Sequence, residues 1–318
     1  MCLFDAPGIS RRDFLAAAGL AGAAACLTPR HIFAEDASLV TLARASAAKA
    51  EVTIQRLRGN LSVLLGSGGN IAVLSGPDGK LLVDAGFPAS EPKIMAALAA
   101  IGPEPIKHLV NTHWHFDHTD GNEWLHAAGA AILAHGNARK HLAATTRVAD
   151  WNFTFPPAPA GALPTSVVTT GRTWRWNGTR VALTYYGPSH TDSDISVSFS
   201  DVDVFHTGDT WWNGVYPFID YSTGGSITGM IQATDANLAT VTSTTTIIPG
   251  HGPVGDKSQL SEYRDMLITI RDKVGGLKKR GASLEDVVAA KPTAAYDARW
   301  SGFLIDGDFF TRLVYEGV

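Results

Sequence analysis

The chain has 318 residues, 45% of them apolar and 18% charged, with a formal net charge of −4. That composition can bury a full core in one or two domains and is unlike a disordered or nucleic-acid-coating chain. The slightly acidic balance favours solubility and gives no hint of a polyanionic partner such as nucleic acid.

Residues 1–34 read as a targeting segment. Ser10-Arg11-Arg12-Asp13-Phe14-Leu15 sets paired arginines before an alanine-rich apolar run, Ala16 to Leu27, that is too short to span a membrane. The twin-arginine pattern predicts export of a folded chain to the periplasm or beyond, cleavage near Ala34, and no stable membrane insertion afterwards. Ala24-Ala25-Cys26 has the outline of a lipoprotein site but lacks the leucine three residues before the cysteine. Both cysteines, Cys2 and Cys26, fall in this leader, so the mature protein is expected to have neither a disulfide nor a thiolate ligand. Residues 35–50 read as a linker and 51–318 as one domain.

From Val52 the chain reads as a meander. Val52 to Leu57, Leu61 to Leu65, Ile71 to Leu74 and Lys80 to Asp84 are predicted strands, divided by Gly66-Ser67-Gly68-Gly69-Asn70 and Gly76-Pro77-Asp78-Gly79. A helix is predicted over Glu91 to Ala100 and a strand over Ile106 to Val110, so hairpins give way to strand–helix alternation. That strand opens into Asn111-Thr112-His113-Trp114-His115-Phe116-Asp117-His118. Thr119-Asp120-Gly121-Asn122 then turns into a helix from Glu123 to Ala128.

Three histidines and an aspartate within six positions are the strongest chemical signal in the chain. His113 and His115, two apart in an extended loop, can point the same way, and Asp117 and His118 can reach a second point nearby. Imidazole and carboxylate are good zinc ligands, and two such sites about 3.5–4 Å apart form a two-metal hydrolytic centre.

Further on, Ala131 to Ala134 reads as a strand and Asn137 to Ala144 as a helix capped by Asn137. Trp151 to Pro164, with four prolines, reads as a long irregular loop that could lie over the metal site. A second run of strands follows: Val167 to Thr169, Thr173 to Trp176, Val181 to Tyr186, Ile195 to Phe199 and Val202 to His206, with Asn177-Gly178 as a hairpin turn. Ile227 to Leu238, Leu260 to Leu277 and Leu284 to Ala290 read as helices, and Thr246 to Ile248 as a strand. His126, His135 and His141 read as surface histidines, and His108 as buried.

Five motifs in order resemble those of the metallo-β-lactamase superfamily. They are Leu81-Leu82-Val83-Asp84-Ala85-Gly86, His113 to His118, Gly187-Pro188-Ser189-His190-Thr191, Phe205-His206-Thr207-Gly208-Asp209-Thr210 and Ile247-Ile248-Pro249-Gly250-His251-Gly252. The resemblance runs from about Glu51 to the C-terminus. It implies an αββα sandwich of two mixed β-sheets with flanking helices, an α/β class, with the site at one edge of both sheets. It also implies a ligand set: His113, His115 and His190 for a first metal, Asp117, His118 and His251 for a second, and Asp209 between them. Two zinc ions are implied, with iron or manganese as other occupants of such a donor set. A hydroxide bridging the metals would be the nucleophile, with Asp117 orienting it or carrying its proton. Asp84 and His206 would brace the ligands from behind. Trp114, Phe116, Trp211 and Trp212 flank ligands and would wall the substrate pocket, with core packing as their other role.

Asp209 at the fourth motif resembles glyoxalase II-like and lactonase-like members, whereas β-lactamases commonly have cysteine or serine there. The reading is a dinuclear zinc hydrolase of a small carbonyl ester, lactone, thioester or amide. Weak β-lactamase activity of the B3 type is the alternative. A mononuclear iron oxidoreductase resembling persulfide dioxygenases is the alternative of another class, and the complete ligand set argues against it.

Overall fold

The computed structural model describes residues 38–318. The leader, with Arg11, Arg12, Cys2, Cys26 and His31, lies outside the described residues.

The segment expected as a linker is a helix, α1 (Leu39–Lys49). Ser38 caps it by accepting from Thr41 N–H, and its alanine-rich sequence favours helix. Leu39, Val40 and Ala47 are buried against the domain, so the domain begins earlier than its composition suggested.

The strands β1 (Thr53–Arg56), β2 (Leu61–Leu65), β3 (Ile71–Leu74) and β4 (Lys80–Val83) form the expected antiparallel meander. Helix α2 (Glu91–Ile101) crosses to β5 (Ile106–Val110), which lies parallel to β4. Two short helices, α3 (Phe116–Thr119) and α4 (Asn122–Ala127), lead to β6 (Ala131–His135), parallel to β5. Helix α5 (Gly136–Leu142) follows, capped by the His135 ring rather than by Asn137, because His135 Nδ1 accepts from Asn137 N–H.

The expected irregular loop begins with an ordered strand, β8 (Phe153–Phe155), which forms a hairpin with β7 (Thr146–Val148) just before it. Three-residue strands beside a run of prolines leave little periodicity to read. Strand β9 (Ser166–Val168) completes a seven-stranded sheet in the order β1-β2-β3-β4-β5-β6-β9. The second sheet has β10 (Gly171–Trp176), β11 (Thr179–Tyr185), β12 (Ile195–Phe199), β13 (Val204–His206) and β14 (Thr246–Ile248), antiparallel until β14 joins β13 in parallel. The helices α6 (Ile227–Thr240), α7 (Lys257–Lys279), α8 (Leu284–Ala289), α9 (Ala294–Trp300) and α10 (Gly307–Glu316) follow β13. The last two were not read from the sequence.

The two sheets pack face to face. Leu61, Val63, Leu65, Leu81 and Val83 of the first meet Val181, Leu183, Val197 and Phe199 of the second in one apolar cluster. The alternate residues Leu64, Val73 and Leu82 face outward onto Ile94, Leu98 and Leu125 of α2 and α4. Burial on both faces explains why β2 to β4 read as unbroken apolar runs rather than as alternation. The outer face of the second sheet is covered by α6, α7 and α10 through Met230, Ile270 and Phe310. The αββα order expected from the motifs is therefore present, with both sheets mixed. Among the described residues, no helix is long and apolar enough to cross a membrane.

Candidate metal centre

Every motif residue leaves the C-terminal end of a strand at the same edge of the sandwich. Asp84 follows β4, the loop bearing His113 and His115 follows β5, His190 follows β11, Asp209 follows β13 and His251 follows β14. Seven donor residues converge there in two groups. His113, His115, His190 and Asp209 form one, and Asp117, His118 and His251 the other.

In His113, His115, His118 and His190, hydrogen bonds on the outer nitrogens fix which ring atom faces inward. His115 Nε2 donates to Asp220 Oδ2 at 2.9 Å, which leaves Nδ1 as its inner atom. His190 Nδ1 donates to the Phe218 carbonyl at 2.8 Å, leaving Nε2. These two inner atoms are 2.8 Å apart. With both outer nitrogens protonated, two lone pairs face each other, an arrangement that a cation between them relieves.

His118 Nδ1 donates to Asp84 Oδ2 at 2.8 Å, so its Nε2 faces Asp209 Oδ1 at 3.2 Å and Asp117 Oδ2 at 3.5 Å. His251 Nε2 lies 3.1 Å from Asp117 Oδ2 and 3.4 Å from Asp209 Oδ2. Thr112 donates its hydroxyl to Asp84, so it accepts from His113 Nδ1 and leaves His113 Nε2 inward. His113 Nε2 and Asp209 Oδ1 are buried without any hydrogen-bond partner. Orphaned donor atoms at the focus of a histidine–carboxylate cluster fit divalent metal.

The electrostatics agree. Burial pushes the His113 and His115 imidazoles below their ordinary range, which keeps them neutral as ligands must be. At the second group burial acts the same way on His118, but the carboxylates of Asp209, Asp117 and Asp84 outweigh it and raise His118 well above that range. His251 is likewise raised, to about 9, by Asp209 and Asp117 against its burial. Asp209 is held well below the carboxylate range by His118, His251 and His113 despite complete burial. The site thus holds ionised carboxylates and calls for positive charge, which divalent metal would supply in place of protons.

Asp209 sits between the groups, with Oδ1 toward His118 and Oδ2 3.4 Å from His190 Nε2 and 3.8 Å from His113 Nε2. Asp84 touches no inward ligand atom except through His118. It accepts from Thr112 N–H at 2.8 Å and from the Thr112 hydroxyl at 2.9 Å. His206 acts through the backbone, accepting from Gly208 N–H and donating to the Asn70 carbonyl.

Of the four flanking aromatics, Trp212 lies against the rings of His251 and His190, at 4.3 and 6.3 Å. Trp114 lies 4.9 Å from His115 and donates its indole N–H to Thr223. Phe116 packs on Phe87, Trp151 and Phe155. Trp211 is fully buried in the core. Trp151, from the proline-rich segment, reaches the centre and packs 4.7 Å from the His115 ring. Among the remaining histidines, His135 is buried and stacked on Tyr185 rather than at the surface.

Two supporting residues were missed in the sequence. Asp220 holds His115 and is itself held by the Thr223 hydroxyl at 2.6 Å. Asn70, at the end of its Gly-rich turn, spans to the last motif, donating to the Pro249 and Gly252 carbonyls. Its backbone N–H also donates to the Gly250 carbonyl.

Gly250 gives a sharp test of this packing. A Cβ there would collide with Asp209 Oδ1 and press on the Gly208 backbone. Gly250→Ala is expected to displace Asp209 and to abolish binding of at least one ion, which metal analysis of the purified variant would show. Full metal content would mean that the loop tolerates the shift.

Residues 64–274, more than half of the chain, match the family model described as the metallo-β-lactamase superfamily. Comparison with curated proteins gives no match. Among solved structures, a double mutant of the sec-alkyl sulfatase PisA1 superposes with a TM-score of 0.65 at 15% identity, covering 91% of this chain and 54% of that one. The stereoselective inverting sec-alkylsulfatase Pisa1 from Pseudomonas sp. gives a TM-score of 0.60 at 16% identity with the same coverage, 91% and 54%. A metallo-β-lactamase from Pontibacter korlensis gives 0.54 at 17% identity, covering 69% of this chain and 99% of that one. At these identities the likeness is one of fold, and the chain spans about half the length of the sulfatase chains.

Proposed function

The chain belongs to the metallo-β-lactamase superfamily, and from that premise we propose that it is a dinuclear zinc hydrolase of a small carbonyl ester, lactone, thioester or amide. One observation carries the reading. All seven donor residues are present, buried or nearly so, in two adjoining groups, with the outer nitrogens of His113, His115, His118 and His190 already committed to other partners. Divalent ions held there would supply Lewis acidity and an ionised water at neutral pH.

The chain's own residues do the rest. His113, His115 and His190 converge on one point and hold it rigidly, because Asp220, Phe218 and Thr112 fix their rings. Asp209 lies within reach of both groups. Asp117 has 16% of its side chain exposed, against 6% or less for the others, so it is the donor most accessible to solvent. Its carboxylate is placed to orient an incoming water and take its proton. Trp212 and Trp151 put aromatic faces beside His251 and His115, where an apolar acyl portion would lie.

Weak β-lactam hydrolysis of the B3 type is the second reading: His118 in the second motif fits it, and Asp209 at the fourth weighs against it. The sulfatase likeness reaches over 91% of the chain, against 69% for the β-lactamase, which supports including a secondary alkyl sulfate among the probes. Twin-arginine export belongs to the same proposal and rests on Ser10 to Leu15.

The deciding experiment is metal analysis of the purified protein, with turnover read on lactone, thioester, β-lactam and alkyl sulfate probes in the same preparation. About two zinc ions per chain with turnover on a carbonyl probe is the expected result. One iron per chain without hydrolysis would move the oxidoreductase alternative to first place.

A further inference from the structure

Resting on the two-metal reading above, we propose that Arg44 is a positioning residue that ties α1 to the metal loop and thereby sets the second metal position. Its guanidinium forms a fork on Asp120, with Nε to Oδ2 at 2.7 Å and Nη2 to Oδ1 at 3.1 Å. Asp120 is the cap residue of α3, the single turn that carries Asp117 and His118. The same guanidinium lies 5.5 Å from the Phe116 ring centroid and 5.8 Å from that of Phe153. One side chain from α1 therefore meets both ends of the four-residue turn and the β7–β8 hairpin.

The geometry makes this more than an anchor for α1. Phe116 lies between two ligands in sequence, His115 and Asp117, and packs against Trp151 at 5.4 Å. Trp151 packs in turn on His115. A planar fork fixes Asp120 in direction as well as distance, and the guanidinium face holds two aromatic rings at once, which an ammonium does not do. A four-residue helix has little stability of its own. Its orientation depends on what grips it from outside, and Asp117 and His118 have two of the three side chains of the second group. The first group is gripped differently, by Asp220, the Phe218 carbonyl and Thr112. Loosening Arg44 should therefore act on one ion and spare the other.

Arg44→Lys keeps the charge and loses the fork. Asp120→Asn keeps the shape and loses the charge. Lys93→Met is the control, since Lys93 also anchors α1, through the Ala50 carbonyl at 2.5 Å and Glu51 at 3.3 Å, without touching the metal loop. Each protein is stripped and titrated with zinc against a chromophoric chelator, and unfolding of the apo forms is followed by circular dichroism. The expected result is a loss of about tenfold or more in affinity for the weaker ion in Arg44→Lys and Asp120→Asn, with the tighter ion unchanged. Lys93→Met should leave both affinities unchanged, whatever it does to apo stability. Unchanged affinities in the Arg44 and Asp120 variants would overturn the proposal, and so would an equal loss for both ions or the same loss in Lys93→Met. If the unaltered protein binds no zinc, the two-metal reading itself fails, and the control titration shows that separately.

Discussion

Asp117→Ala is expected to lower turnover by about a thousandfold or more while the chain still folds cooperatively. Asp117 is the most exposed of the ligand side chains and the one within reach of both an incoming water and His251, 3.1 Å away. Its removal takes a ligand from the second group and the most accessible proton acceptor from the site. The fold has no comparable need of it. The backbone bond from Gly69 N–H to the Asp117 carbonyl survives the substitution. Alanine is the better helix former in α3, and the lost carboxylate repels Asp209. Turnover, zinc content and a thermal melt on one preparation test all of this together. A variant with full turnover and two ions bound would sink the assignment of Asp117, and an unfolded variant would show that the carboxylate supports the loop as well.

What the sequence made legible follows from where chemistry is written in residue type. Three histidines around an aspartate are conspicuous, so His113 to His118 stood out by residue type, while His190, Asp209 and His251 joined them only through the resemblance of their motifs. The strands β2 to β5 were legible because apolar runs bounded by Gly-rich turns have few other readings. The supports were harder. Asp220 sits in a stretch without regular structure, 105 positions from His115, and nothing beside it signals that reach. Asn70 stands in a Gly-rich turn where asparagine is expected for local reasons, which hid its bonds to the last motif. Arg44 lay in a segment of small residues that read as a linker. Only the burial of Leu39, Val40 and Ala47 decides for helix, and burial is a tertiary property. The same holds for α9, where Trp300 is buried against Tyr263 of α7, whereas α10 has a clear apolar face of its own, Phe310, Leu313 and Val314, that was passed over in the sequence.

Asp84→Asn should cost the second ion while changing the shape of the side chain hardly at all. Asp84 has a left-handed backbone, φ +69°, which asparagine adopts nearly as readily, so the turn after β4 survives. The change lies in hydrogen bonding. The carboxylate accepts three protons, from Thr112 N–H, the Thr112 hydroxyl and His118 Nδ1. An amide offers one accepting oxygen, and its NH2 group must face at least one of those donors. If the oxygen stays with Thr112 N–H, the NH2 group meets His118 Nδ1. His118 then moves its proton to Nε2, the atom that faces Asp209 Oδ1 at 3.2 Å and would hold the ion. A ring in that tautomer has no lone pair to give. The expected loss in affinity for the second ion is about 10- to 100-fold, with the first ion retained. The apo fold should lose about 1–3 kcal/mol from the mismatched buried donors. Zinc titration measures the first effect and denaturant unfolding the second, while nitrogen-detected NMR of the imidazoles reads the tautomer directly. Two ions bound with unchanged affinity, and His118 still protonated at Nδ1, would show that Asp84 does not set the ligand tautomer.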